Sequence, residues 1–286
     1  MVFKPMRNPN LGLCFIPLFM LVLILLPTAR ASAASIPHGT VDLVAENQWI
    51  APGRQTYFGL NFHLEKVWHI YWVNPGDSGQ PPHVEWHLPA GFSSGEIEWP
   101  APRRLGTSTI VDFGYEGAVT LLVPVRASST LPTDQAAQLG ANLRALVCRE
   151  ICIPGKAQVS LTLPIKSMPP EVDARNSELF TAARKSLPQR APRDWEFNVS
   201  DQNDSFVLTA KLGRQTKRAT FFPLEESQVD NSAPQKVVPM ASGFQLTLRK
   251  SDQLLKPIER LKGVLELSAD RTYVIDVAVG DAILAR

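Results

Sequence analysis

Ala157-Gln-Val-Ser-Leu-Thr-Leu-Pro-Ile165 sets Val159, Leu161, Leu163 and Ile165 on one side and Gln158, Ser160 and Thr162 on the other. A side-chain period of two is that of a strand with one buried face. Upstream, similar short runs recur at Thr56-Tyr-Phe-Gly-Leu-Asn-Phe62, Trp68-His-Ile-Tyr-Trp-Val73, Val84-Glu-Trp-His-Leu88, 118–125 and 142–147. They are cut by Asn74-Pro-Gly-Asp-Ser-Gly-Gln-Pro-Pro82, Pro89-Ala-Gly91 and Pro100-Ala-Pro102, whose prolines and glycines stop pairing and turn the chain. Many short strands with no helix between them predict an antiparallel sandwich.

Downstream, Ser167-Met-Pro-Pro-Glu171 breaks the pattern, and the spacing predicts a helix over about 176–187, with Leu179, Phe180, Ala183 and Leu187 on one stripe and Pro188 as its stop. Strand patterns resume at 195–199, 206–212, 219–224, 244–248, 263–267 and 273–279, in a segment with neither cysteine nor histidine. The expected organisation is a first sandwich over 36–167, a helix-bearing linker over 168–193 and a smaller sandwich over 194–286 with a structural or partner-binding role.

At the N-terminus, Lys4 and Arg7 precede an apolar run over 11–26, and Thr28-Ala-Arg-Ala-Ser-Ala-Ala34 then offers Ala-x-Ala cleavage sites. This is the pattern of an export signal over 1–33; the run of about sixteen residues, interrupted by Pro17, is short for a spanning helix. Cys14 lies within it after Leu13, where a lipid-attachment site needs a small residue, and is expected to leave with the signal. Removing three cations and no acid takes the formal net charge from +2 to −1. No lysine or arginine cluster remains to suggest nucleic acid or a membrane surface as partner. The mature chain is therefore expected to be soluble, in a compartment where disulfides persist.

Cys148 and Cys152, in Leu146-Val-Cys-Arg-Glu-Ile-Cys-Ile-Pro-Gly155, are then the remaining cysteines. Bonded cysteines need Cα atoms about 4.4 to 6.8 Å apart, whereas four extended residues span about 13 Å, so Arg149-Glu-Ile151 must turn tightly. A staple closing about five residues stabilises by only about 2 kcal/mol. A short, accessible disulfide is also open to exchange with an attacking thiolate; the two nearby arginines favour thiolate and Glu150 opposes it. Structural staple and redox pair both stand on these grounds. Zinc is disfavoured, because no second cysteine pair completes four ligands.

Other motifs carry less. Gly76-Asp-Ser-Gly79 resembles a protease nucleophile segment, but Gln80 replaces the following glycine and the upstream histidine motif is missing. His83 and His87, four apart on a strand, are about 13 Å apart and read as surface or half-buried histidines. Trp49, Trp68, Trp72, Trp86 and Trp99 read as sandwich packing rather than a sugar platform.

The series Trp68-His-Ile-Tyr-Trp-Val-Asn-Pro-Gly-Asp-Ser-Gly79, Trp86-His-Leu-Pro-Ala-Gly91, Glu98-Trp-Pro-Ala-Pro102, Phe113-Gly-Tyr-Glu-Gly117, Leu121-Leu-Val-Pro-Val125 and the cysteine segment resembles the N-terminal periplasmic domain of the DsbD and ScsB thiol:disulfide interchange proteins, most closely the ScsB-like branch. The resemblance implies an all-β fold, here two immunoglobulin-like antiparallel β-sandwich domains. It implies that Cys148 and Cys152 are the redox pair, with Cys152 attacking and Cys148 resolving, and that no metal or organic cofactor takes part. It further implies electrons passed from a membrane-embedded thiol transporter to periplasmic thioredoxin-like proteins. Full-length members carry membrane and thioredoxin-like domains that this sequence lacks, so the expected donor is a separate chain. A cap loop with an aromatic shield over the disulfide is implied within 103–117, with Phe113 or Tyr115 as the shield. The competing expectation is a non-catalytic immunoglobulin-like binding or assembly module with a structural disulfide.

Overall fold

The computed structural model describes residues 1–2, 33–106 and 109–281; the expected export signal, Cys14 included, lies outside these apart from 1–2 and 33. In chain order the first strands are β1 (Ala34–Ile36), β2 (Gly39–Ala45), β3 (Gln55–Leu64), β4 (His69–Gly76), β5 (His83–His87) and β6 (Phe92–Ser94). There follow β7 (Arg103–Gly106), β8 (Val111–Glu116), β9 (Ala118–Ala127), β10 (Gln135–Cys148) and β11 (Cys152–Ile165). After α1 (Ser177–Ser186) come β12 (Gln189–Arg190), β13 (Glu196–Asp201), β14 (Ser205–Lys211), β15 (Thr220–Pro223), β16 (Lys236–Met240), β17 (Gly243–Arg249), β18 (Arg260–Ser268) and β19 (Arg271–Asp281).

The alternating residues of the first part build two sheets, in the orders β1-β2-β3-β9-β6 and β11-β10-β4-β8-β7, with β5 added alongside β10. Their inner faces meet through Phe58, Leu60, Phe62, Leu121 and Val123 from one sheet and Ile70, Trp72, Leu139, Leu143 and Val159 from the other, all buried in a single core. Trp68, Trp86 and Trp99 pack against this core, and Trp49 is buried with its Nε1 donating to the carbonyls of Met168 and Pro169.

The helix forms where its apolar stripe was read. Phe180 and Ala183 are buried with Val44 and Leu122, on the outer face of the first sheet, and Asn176 Nδ2 donates to the Ala45 carbonyl at 2.9 Å. It therefore adds a third layer rather than lying free between two bodies.

The remaining strands form an eight-stranded arrangement, β15-β18-β19-β13-β14-β17-β16 with β12 beside β19. Its pairings are antiparallel except that β12 and β13 run parallel to β19. β19 pairs with β18 along most of its length and with β13 at Val279–Asp281, so one strand joins the two halves. This segment packs onto the first: Phe222 and Val264 belong to the first core, Asn74 Nδ2 donates to the Pro223 carbonyl at 2.9 Å, and Arg104 Nη2 donates to the Asn231 carbonyl at 2.6 Å.

Candidate redox site

The β10–β11 hairpin carries the cysteines at its tip. Its register runs unbroken from Gln135↔Ile165 to Cys148↔Cys152, longer on both arms than the 142–147 and 157–165 runs read from the sequence. Pro154-Gly155 does not end β11, for two reasons. Proline is tolerated in an edge strand, and β11 is the edge of its sheet. Gly155 sits where a Cβ would lie 2.8 Å from Pro37, so its missing side chain lets the chain entering from β1 pass over. Arg149 N donates to the Ile151 carbonyl at 3.1 Å, closing the tight turn. The cysteines are bonded, with Cα atoms 4.1 Å apart.

The two cysteines are not equivalent. Cys148 is 2% exposed and Cys152 is exposed. Tyr71, from β4, brings its hydroxyl to 3.4 Å from Cys152 Sγ; a disulfide sulfur has no proton, so the tyrosine donates. Its ring, 1% exposed, lies on Gly79, where any Cβ would sit 2.1 to 2.4 Å from ring carbons. The Gly76–Gly79 turn is thus the wall that holds the tyrosine in place. Gly76 and Gly79 take φ of +93° and +81°, a region open to glycine.

Behind Tyr71 lies a polar layer. His69 is in register with Cys148 and meets the Tyr71 ring edge-on at 5.2 Å. It is 6% exposed, and its Nε2 has no hydrogen-bond partner; burial holds it below the usual imidazole range, with Asp112 and Glu116 pulling the other way. Ser78 Oγ donates to both oxygens of Asp112, at 2.9 and 3.1 Å, and Ser78 N donates at 3.0 Å. Burial nonetheless leaves the Asp112 carboxyl above its usual range. Burial likewise raises the Tyr71 hydroxyl, Ser78 opposing and Asp112 adding to the effect, so the tyrosine keeps its proton and remains a donor. Asp77 secures the turn, accepting from Val111 N at 2.8 Å and from Asn231 Nδ2 at 2.9 Å. The second segment thereby braces the wall of the site.

Phe113 and Tyr115 do not form the shield. Both lie on β8 with their side chains in the core: Phe113 is 0% exposed, between Trp72 and Phe222, and Tyr115 is buried, with its hydroxyl donating to the Pro100 carbonyl at 2.7 Å. The alternation of β8 is the cause. Tyr115 is in register with Ile70 on the core side, whereas Gly114 and Glu116 are in register with Tyr71 and His69. The group on the sulfur is Tyr71. Of the nearby arginines, Arg149 is paired with Glu150 at 3.2 Å. No set of three or more His, Cys, Asp or Glu side chains among the described residues is placed to hold a metal ion, and His83 and His87 are exposed on β5.

The first part is an immunoglobulin-like sandwich with a cross-strand disulfide at a hairpin tip, its Cys152 exposed and the Cys152 sulfur under a tyrosine hydroxyl. Residues 40–164 match the family model of the N-terminal part of thiol:disulfide interchange protein DsbD, which marks this stretch as a DsbD N-terminal-like domain and points to thiol:disulfide interchange at the level of that family. Among solved structures, the N-terminal periplasmic domain of ScsB from Proteus mirabilis is similar at 16% identity and TM-score 0.64, covering 87% of this chain and 98% of that one. That likeness supports the all-β fold across both segments. The periplasmic chaperone SfaE also aligns, over 83% of this chain and 98% of its own, but at 8% identity and TM-score 0.22, too low to bear on the fold. No curated protein matches in sequence. Among the described residues no helix is long and apolar enough to cross a membrane.

Proposed function

We propose that the chain is a periplasmic dithiol/disulfide exchange protein that carries electrons through Cys148 and Cys152, from a separate membrane-embedded thiol transporter to thioredoxin-like oxidoreductases. The observation that carries this reading is the Tyr71 hydroxyl on the sulfur of Cys152, an exposed residue, beside a buried Cys148. In the reduced protein the same hydroxyl donates to the Cys152 thiolate and favours the form that reacts. That thiolate attacks one sulfur of the partner disulfide; a mixed disulfide forms and the partner's first thiolate leaves. Cys148 then loses its proton and attacks Cys152 Sγ, re-forming the internal disulfide and releasing the partner's second thiolate. Two electrons pass to the partner, and its two thiolates take up protons. No metal or organic cofactor enters these steps.

A purely bracing role fits the hairpin less well. β10 and β11 are already paired over 14 residues each, so a bond at their tip constrains little that the ladder does not. The single-cysteine variants test the reading. Cys148→Ser leaves Cys152 free, and its reaction with an aromatic disulfide such as dithiobis(nitrobenzoate) is expected to be at least about tenfold faster than that of Cys152→Ser. Equal, slow reaction of both folded variants would reject the assignment.

A further inference from the structure

Three residues able to carry positive charge stand side by side on three neighbouring strands. Arg144 of β10 is in register with Lys156 of β11 on one side and with His83 of β5 on the other. All three are exposed. Like charges directly opposite across strands are destabilising, yet none of the three has an ion-pair partner among the described residues, and Glu85, the acid on the same face of β5, pairs with none of them. The row also lies on the face that carries the chemistry. Side chains at 144, 146 and 148 share one side of β10, and those at 152, 154 and 156 share one side of β11. A depression of about 630 Å³ is lined on this hairpin by Arg144, Leu146, Pro154 and Lys156, with Gln80, Pro81 and His83 beside them; Leu146 and Pro154 are the paired residues between the row and the cysteines on this face. Four residues of strand separate the row from the disulfide, about 13 Å.

On the opposite side of Cys148 the residues in register are His69 and then Glu116, so the surroundings of the disulfide are polarised, cationic along the hairpin and not across β8. A chain whose cysteine reacts at Cys152 and which continues along the depression in extended form sets its fourth residue over Arg144 and Lys156. Resting on the exchange reading above, we infer that this row is the docking track for an extended acidic segment of the partner, with carboxylates about four residues from its reacting cysteine. The cross-strand repulsion is relieved when those carboxylates arrive, and encounter is steered toward Cys152.

The test uses hexapeptide disulfides with cysteine at one end and two glutamates at the other, against otherwise identical peptides bearing two lysines. Each rate of oxidation of the reduced protein is divided by that peptide's rate with dithiothreitol, to remove its intrinsic reactivity. The expected result at low salt is a preference for the glutamate peptide of roughly tenfold, falling toward parity near 1 M salt, where the Debye length is about 3 Å. In Arg144→Gln, Lys156→Gln, a pair of exposed positions that leaves the disulfide in place, the preference should vanish at every salt concentration. Equal rates for both peptides with the wild type, or a preference that survives in the double variant, would overturn the docking track while leaving the exchange reading intact. Failure of the protein to reduce either peptide would remove the exchange reading, and the docking track with it.

Discussion

Tyr71→Phe removes one oxygen and little else, because the ring remains packed on Gly79 and against His69. In the reduced protein the lost group is a donor to a thiolate, and hydrogen bonds to charged groups are worth about 1.5 to 3 kcal/mol. Cys152 is exposed, so water recovers part of this and the lower end, about 1.5 kcal/mol, applies. One pKa unit corresponds to about 1.4 kcal/mol, so the Cys152 thiol pKa should rise by about one unit. The sign carries through to the couple. Losing stabilisation of the reduced form makes the disulfide relatively more stable, and the potential should become more negative by up to roughly 30 mV where the thiolate is populated. The assay is the pH dependence of Cys152 alkylation in reduced Cys148→Ser, with and without Tyr71→Phe. An unchanged alkylation profile would show that the hydroxyl does not act on the sulfur, and the mechanism built on it would fail.

Further expectations follow from the same geometry. Cys148→Ser, Cys152→Ser should remain folded, losing no more than about 2 kcal/mol in urea titration because the closed loop is about five residues; a loss well above that would make the bond a structural element. Gly79→Ala forces a Cβ into the Tyr71 ring at a positive φ, so it should destabilise the fold by about 1 to 3 kcal/mol and raise the Cys152 pKa as Tyr71→Phe does, both readable on the purified variant. His69 is held below its ordinary value of 6.5 by burial, so the unfolded chain binds more protons than the native one just below that value. Its contribution to stability is then present above about pH 6.5 and lost as pH falls. Denaturation at about pH 7.5 and 5.5 should show this loss in the wild type and a flatter response in His69→Gln.

Much of the sandwich was legible because its strands have one wet face. Val159, Leu161, Leu163 and Ile165 announced β11 by period alone, and the stripe of Leu179, Phe180 and Ala183 announced the helix. The start of β11 was hidden, since Pro154-Gly155 is locally a stop signal, and only the passage of Pro37 over Gly155 explains its place within a strand. The alternation of Val111-Asp-Phe-Gly-Tyr-Glu116 holds a usable sign that Phe113 and Tyr115 point into the core; the expectation of a shield there comes from the cap loop that the family resemblance implies within 103–117. Tyr71 left less trace. In Trp68-His-Ile-Tyr-Trp-Val73 both faces carry aromatic residues, so period does not say which ring is packed and which reaches out. Its target sulfur lies 81 residues away, and the Ser78 and Asp112 pair behind it is separated by 34. Such contacts arise from sheet order and register rather than from any local pattern.

The measurement that bears most directly on the account is the reduction potential of the Cys148/Cys152 pair, obtained by equilibrating the purified protein in glutathione or dithiothreitol buffers and trapping free thiols. An exposed cysteine whose sulfur lies under a donating hydroxyl predicts rapid equilibration and a potential on the order of −180 to −270 mV, the range of exchange proteins. A potential below about −300 mV, or thiols released only on unfolding, would contradict it and leave the disulfide as a brace.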